Sequence, residues 1–281
     1  MKIISLNFST IFFHHFCLPV LYLVLFLFST INVYGEENLD PEVNAESAIL
    51  MDADTGVILY EKNKTHKTFP ASITKIMTAL LTLESAGNSL SDRVAFSHDA
   101  VFSLPSGSSN IAMNEGDTLS VEESLYGLLL ASANEVANAL AEHIGGAQED
   151  FAVLMNQKAQ DLGAVNTHFV NPSGLHDDEH YTCAYDMALF LREALKDPEF
   201  NAIIAMKHYD LPPTEKQPLS RPLNNTNKLI QPGGAFFNEN VIGGKTGFTD
   251  QAQHTLATYA EKDGVRLITV VLHNEGNDHY T

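Results

Sequence analysis

Strand patterns sit at both ends of this chain and helical patterns fill its middle, which limits the folds open to it. Near the front, "AESAILMDADTGVILYEKN" reads as a β-hairpin, with Ala48 to Met51 and Val57 to Tyr60 extended and "DADTG" turning between them. Near the back come "VIGGKTGFT", "HTLATYA" and "VRLITVVLHN", the last two joined by "EKDG" as a second hairpin. Between them, an apolar helix is expected over roughly 72–85. A second helix opens at "LSVEESLYGLLL" with a capping box from Ser120 to Glu123. A third, "SANEVANALAEHIGG", is stopped by Gly145 and Gly146. "QEDFAVLMNQKAQDLG" carries Phe151, Met155, Ala159 and Leu162 on one face, and "CAYDMALFLREAL" is a further helix. Residues 86–118 and 208–240 read mostly as loop. The simplest architecture is α+β: one antiparallel sheet formed by both ends of the chain, packed against helices from the middle. In the last strand Leu267, Thr269 and Val271 alternate with Ile268, Val270 and Leu272, so both faces are largely apolar and call for cover on both sides.

The first 35 residues stand apart. They hold no Asp or Glu and a single basic residue, Lys2, ahead of an apolar stretch from Phe16 to Phe28, and Val33-Tyr34-Gly35 suits a cleavage site. This is the pattern of a secretory signal peptide over 1–35, followed by one domain over 36–281. An uncleaved anchor is the competing reading, but the apolar run is short and Pro19 interrupts it. The protein is therefore expected to be exported. The chain has 35 acidic residues against 16 basic ones, a formal charge of −19, so no nucleic-acid partner is expected from bulk electrostatics. Beyond the leader one cysteine remains, Cys183, which leaves no internal disulfide and reads as a small buried hydrophobe.

The apolar helix raises a chemical question. "FPASITKIMTALLTLES" places Ser72 three residues before Lys75 where the neighbouring helix-facing positions are Ile, Met, Leu or Ala. Residues at i and i+3 share a helix face, so the hydroxyl and the amine can meet. A serine hydroxyl needs a base before it attacks. A lysine with a free pKa of about 10.4 serves near neutrality only if its environment lowers that value by ~3, which amounts to about 4 kcal/mol. Burial and a second cation both push that way. A lone Ser-x-x-Lys is expected about once by chance in a chain this long, and Ser72 could merely cap a helix while Lys75 reaches solvent.

Two further motifs follow in order. "SAN" spans Ser132 to Asn134 at a turn between two helices, and "KTG" spans Lys245 to Gly247 on a strand flanked by Gly243 and Gly244. Ser108 to Asn110, "SSN", also fits S-x-N, and Ser132 has a plain alternative as an N-cap with Glu135 three residues on. S-x-x-K, S-x-N and K-T-G in that order form the motif set of serine penicillin-binding proteins and β-lactamases.

On these residues the chain resembles the D-alanyl-D-alanine carboxypeptidases, the low-molecular-mass penicillin-binding proteins of the β-lactamase/transpeptidase-like fold. The resemblance runs from about Ala45 to Leu272 and takes in "MNQKAQDLGAVNTHFVNPSGL", "HYTCAYDMA" and "NTNKL". It implies Ser72 as the acylated nucleophile, Lys75 as its base and Ser132 as a proton relay. Asn134 would hold the substrate peptide, and Lys245 and Thr246 would bind its terminal carboxylate. The strand through Gly247 and Phe248 would lie along the substrate, with the oxyanion hole made by the Ser72 and Phe248 N–H groups. The implied substrates are peptidoglycan stem peptides ending in D-Ala-D-Ala, with β-lactam antibiotics as covalent ligands and no cofactor or metal. Two departures stand out. The family usually has Ala-Gly shortly after K-T-G where this chain has Ala252-Gln253, and a side chain there could alter the strand end. The family also continues past the last strand into a covering helix and often a membrane-associating tail, so the domain is expected to be truncated at its C-terminus.

"HDDEH", His176 to His180, matches the H-x-x-E-H zinc pattern, which needs a helix to align its ligands. It follows the turn signal "NPSGL" with no apolar period around it, so it reads as a loop. The rival functions are a β-lactamase, against which stands the lack of a convincing E-x-x-x-N loop between Ser132 and Lys245, and a penicillin-binding cell-wall protein without turnover.

Overall fold

The computed structural model describes residues 41–87, 89–276 and 280. The expected signal peptide lies outside them. The strands and helices belong to the unit Val43–Thr281.

Nine strands occur among the described residues. Five form the main sheet: β1 (Ser47–Asp52), β2 (Ile58–Lys62), β7 (Val241–Thr249), β8 (Gln253–Lys262) and β9 (Val265–Asn274), in the order β2-β1-β9-β8-β7. Every pair is antiparallel, and the β1–β9 seam joins the two ends of the unit, with Ser47 opposite Leu272 and Ile49 opposite Val270. The α+β architecture expected from the sequence is the one found. Two small two-stranded sheets sit apart, β3 (Arg93–Ala95) with β4 (Thr118–Ser120) and β5 (His208–Leu211) with β6 (Arg221–Asn224). Strands β3, β5 and β6 fall inside stretches expected mostly as loop, and β4 runs from the end of one into the start of the following helix.

One face of the sheet buries Ile49, Met51, Ile268, Val270 and Leu272, and helix α6 (Ala184–Ala194) lies across β1 and β9 there. On the other face Leu267 and Val271 are half-buried and Thr269 is exposed. Helix α1 (Lys75–Ala86) is buried on nearly all sides, since Ile76, Met77, Thr78, Ala79, Leu80, Thr82 and Leu83 are all enclosed. A helix apolar all round must sit inside the molecule. Helices α3 (Val121–Leu129), α4 (Asn134–Gly145) and α6 surround it. The Ser120–Glu123 capping box is formed at both ends. Two short helices were not read from the sequence: α2 (His98–Phe102), and α7 (Pro198–Ala205), which Asp197 caps with proline at its first position. Helix α5 (Gln148–Asp161) buries Phe151, Met155 and Ala159 as expected.

One boundary shifts. The helix expected from Ser72 begins at Lys75, and residues Ala71–Thr74 form a 3-10 turn before it. The i, i+3 relation survives, because side chains three apart eclipse one another in a 3-10 turn.

Candidate active site

Strand β7 is an edge of the sheet, and it packs against the Ala71–Thr74 turn. Between them and the helices opens a cleft of about 680 Å³, lined among others by Ser72, Ser132, Asn134, Thr246, Gly247 and Phe248. All eight residues expected to form the site lie in this cleft or directly beneath it.

Lys75 is fully buried. Its Nζ lies 3.1 Å from Ser72 Oγ, 2.7 Å from Asn134 Oδ1 and 2.6 Å from the Ser173 carbonyl oxygen. Burial pushes its pKa well below the ordinary lysine value, the Lys245 cation adds to that, and Glu135 opposes it. Lys245 is 1% exposed, and burial brings it down to about 7. Its Nζ donates to Ser132 Oγ at 3.0 Å and to the Thr246 carbonyl at 2.8 Å. Each of the two lysines thus meets one serine of the cleft.

The plain alternative for Ser132 does not hold: it does not cap helix α4, since the cap position is Ala133, with no side-chain hydrogen bond. Ser132 instead takes a left-handed backbone conformation, φ 60°, which turns the chain sharply between α3 and α4. Glu135 takes no part in a capping box and accepts from the Ile111 N–H at 2.6 Å. The rival "SSN" is not the counterpart of "SAN". Ser108 and Ser109 line the cleft, but Asn110 spends its amide on local contacts with the Ser108 carbonyl and the Ala112 N–H.

Gly247 explains how β7 comes so near Ser72. A Cβ at this position would lie 2.4 Å from Thr255 Oγ1 and 2.8 Å from the Ser72 backbone nitrogen. Only glycine leaves room for the strand against the turn. Phe248, next along, is 52% exposed at the cleft and rests on His254 with ring centroids 4.8 Å apart. Thr246 Oγ1 is 2.7 Å from Thr226 Oγ1.

The sequence reading did not single out Thr226 or the Ser173 carbonyl. The first lies within "NTNKL"; the second is a main-chain oxygen, to which no residue letter points. The zinc-like "HDDEH" lies in a loop, as expected. His176 stands edge-on to Phe69 at 4.7 Å, and His180 is buried with both ring nitrogens engaged inside the protein. Cys183 is buried and accepts from the Asp186 N–H at the start of α6, and burial pushes its thiol up to about 12, so it is no nucleophile near neutral pH.

The geometry has known counterparts. The peptidase S11 family model, D-alanyl-D-alanine carboxypeptidase, matches residues 35–276. The chain is 40% identical over 241 residues to the D-alanyl-D-alanine carboxypeptidase DacF of Bacillus subtilis, covering 84% of this chain and 59% of that one. It is 36% identical to DacC of Escherichia coli, covering 88% and 61%. The chain thus spans about three-fifths of the length of these relatives. Among solved structures, the Streptomyces K15 DD-transpeptidase superposes with a TM-score of 0.77 at 28% identity, covering 84% of this chain and 92% of that one. A D-alanyl-D-alanine carboxypeptidase from Mycobacterium tuberculosis gives 0.75 at 29%, covering 85% and 86%.

Proposed function

The chain belongs to the D-alanyl-D-alanine carboxypeptidase family, and from that premise we propose that it is a serine D,D-carboxypeptidase. It removes the terminal D-Ala from peptidoglycan stem peptides through an acyl-enzyme on Ser72, and β-lactams acylate the same oxygen.

The observation that carries this is the three-way contact of Lys75 Nζ. A neutral amine has two N–H bonds and one lone pair. Asn134 Oδ1 and the Ser173 carbonyl can only accept, so they take the two N–H bonds. The lone pair is left facing Ser72 Oγ. Burial favours the neutral amine, and in that form it accepts from the hydroxyl and takes its proton as Ser72 attacks the D-Ala-D-Ala carbonyl. The Ser72 and Phe248 N–H groups receive the oxyanion. Ser132 gives its own proton to the departing D-Ala amine as the peptide C–N bond breaks, and takes in its place the proton that Lys75 received, which leaves Lys75 neutral again. Water then gives a proton to Lys75 as it attacks the ester, and that proton passes to Ser72 Oγ as the ester C–O bond breaks.

Lys245 and Thr246, with Thr226 beside it, bind the substrate's terminal carboxylate. A carboxylate arriving next to Lys245 restores its full charge, which makes this contact strong only when an anion is present. Asn134 keeps its Nδ2 donors for a substrate carbonyl. These steps need no cofactor. Nothing in the net charge favours nucleic acid. The leader-like first 35 residues support a place outside the cytoplasmic membrane, at the cell wall. Membrane association through a C-terminal segment like that of the family belongs to the same proposal. Among the described residues no helix is long and apolar enough to cross a membrane.

Mass spectrometry tests the reading. The protein is incubated with penicillin and, separately, with a D-Ala-D-Ala peptide. A slowly lost penicillin adduct together with release of D-Ala supports it. Fast penicillin turnover would identify a β-lactamase, and an adduct without D-Ala release a penicillin-binding protein that does not turn over.

A further inference from the structure

We propose that His180 is a positioning residue for Lys75: as a neutral imidazole it ties the turn that carries Ser72 to the loop that carries the Ser173 carbonyl. This rests on the reading of Lys75 as the base for Ser72.

The loop begins at Val170. Asn171 Oδ1 accepts from the Ser173 N–H, the Ser173 hydroxyl and the Gly174 N–H at 2.8–3.1 Å, which makes residues 171–174 one closed turn. That turn meets the Ser72 helix at two points: the Pro172 carbonyl accepts from Thr78 Oγ1 at 2.6 Å, and the Ser173 carbonyl accepts from Lys75 at 2.6 Å. It lies so close that a Cβ on Gly174 would fall 1.8 Å from the Ala71 carbonyl oxygen. Gly174, Leu175 and His176 then form a wall of the cleft.

His180 closes the base of this loop. Its side chain is 2% exposed. Nδ1 accepts from the Val170 N–H at 3.1 Å and, at longer range, from the Asn171 N–H at 3.4 Å. A nitrogen that faces two N–H groups carries no proton of its own, so the proton is on Nε2, which donates to Thr74 Oγ1 at 2.9 Å. Thr74 is the residue before Lys75. The ring packs edge-on to Phe169, and His168 and Tyr181 pair through their backbones around it. The charged and titratable groups facing it are Asp177, His168, His176 and Lys75. Burial brings the imidazole down to about 3, so it stays neutral wherever the enzyme works. A single rigid ring thus accepts from the loop with one edge and donates to the nucleophile's turn with the other. The Ser173 carbonyl is fixed on the amine, and the lone pair stays aimed at Ser72.

A buried histidine with no such role would affect only folding, so the test reads the base. Acylation by a fluorescent penicillin is measured across pH on the full chain, per folded molecule, for the wild type, His180→Leu, His180→Gln, Thr74→Val and Ser72→Ala. His180→Leu is expected to slow acylation on the order of 100-fold, the scale of a small misplacement at a reacting centre. It is also expected to move the acid limb of the profile to higher pH, because a loosened loop admits water to Lys75 and relieves the burial that depresses it. His180→Gln, which can still accept and donate, recovers most of the rate, and Thr74→Val shows the same shift in smaller degree. Unchanged rate and acid limb in folded His180→Leu overturn the proposal. If that variant does not fold, an unchanged profile in Thr74→Val overturns it instead. Labelling that survives Ser72→Ala overturns the reading of the site itself, and this role with it. Labelling lost in Ser72→Ala but intact in His180→Leu overturns the role of His180 alone.

Discussion

Lys245 Nζ stands 3.0 Å from Ser132 Oγ, a contact between an edge strand of the sheet and a left-handed turn between two helices. A non-glycine residue in that conformation costs about 1–2 kcal/mol. Here the turn aims a hydroxyl at a buried cation across the cleft. The contact ties β7 to that turn, and burial around it makes the charge of Lys245 depend on its surroundings.

That charge has a measurable consequence for stability. In the unfolded chain Lys245 titrates near its ordinary 10.5 and in the fold at about 7. Between those values the unfolded state binds more protons, so unfolding free energy rises with pH. Lys245→Met removes the contribution. The stability advantage of the mutant over the wild type is expected to be largest below pH 7 and to shrink toward pH 10. Urea unfolding at several pH values checks this; parallel curves would sink it.

The same residue should discriminate substrates. Lys245→Ala is expected to slow peptides with a free C-terminal carboxylate by roughly 10- to 100-fold more than the same peptides amidated, the worth of a charge-assisted hydrogen bond. Equal losses on both would mean that Lys245 acts on Lys75 instead.

Ser72→Ala should abolish covalent penicillin labelling and leave the melting temperature nearly unchanged. The Ser72 hydroxyl makes no capping bond in its turn, and its contact is with Lys75. The stability change is expected within about 1 kcal/mol. An adduct found in the mutant by mass spectrometry would place the nucleophile elsewhere.

Two glycines of matching backbone should respond differently to alanine. Gly163 has φ +77° with open space around it, whereas Gly174 has φ +81° and a Cβ there would meet the Ala71 carbonyl oxygen at 1.8 Å. Gly163→Ala is expected to cost about 1–2 kcal/mol from backbone strain alone. Gly174→Ala adds a clash with main chain and should cost clearly more, with acylation slowed as the loop leaves Lys75. Similar unfolding midpoints for the two would refute this.

The sequence departure at Ala252-Gln253 now has a physical account. Gln253 sits at φ 54°, where glycine is at ease, and its amide donates to the Asp250 carbonyl at 2.5 Å. Gln253→Gly is expected to raise stability by up to about 1 kcal/mol. A fall in the melting temperature would show that the amide contact outweighs the strain.

Apolar runs broken by the short turns "DADTG" and "EKDG" were enough to read the β1–β2 and β8–β9 hairpins from which the sheet is built. The Ser72–Lys75 pairing was legible through spacing, which holds in either kind of helical turn. Ser132 was legible as a turn residue between two helices. Its plain alternative, the cap of a Ser-x-x-Glu box, fell to tertiary contacts that gave Glu135 to the Ile111 N–H and turned Ser132 out of the helix. The Ser173 carbonyl could not be read at all, since any residue supplies that oxygen and only the fold decides which one meets Lys75. His180 was read only as a poor zinc ligand, because sequence shows a histidine's neighbours along the chain and not those across it.

The pairing of β1 with β9 also fixes when the sheet can close. Strand β1 is made early in synthesis, but its partner emerges only with the residues from Val265 to Asn274. Until then the first hairpin has no sheet to join, and strand β7, which carries Lys245, has no anchored neighbour. Contacts between such distant segments close slowly, because a long loop must be ordered before any of them forms. The sheet therefore closes only when β9 slots between β1 and β8, and only then does β7 bring Lys245 up beside the turn that carries Ser72.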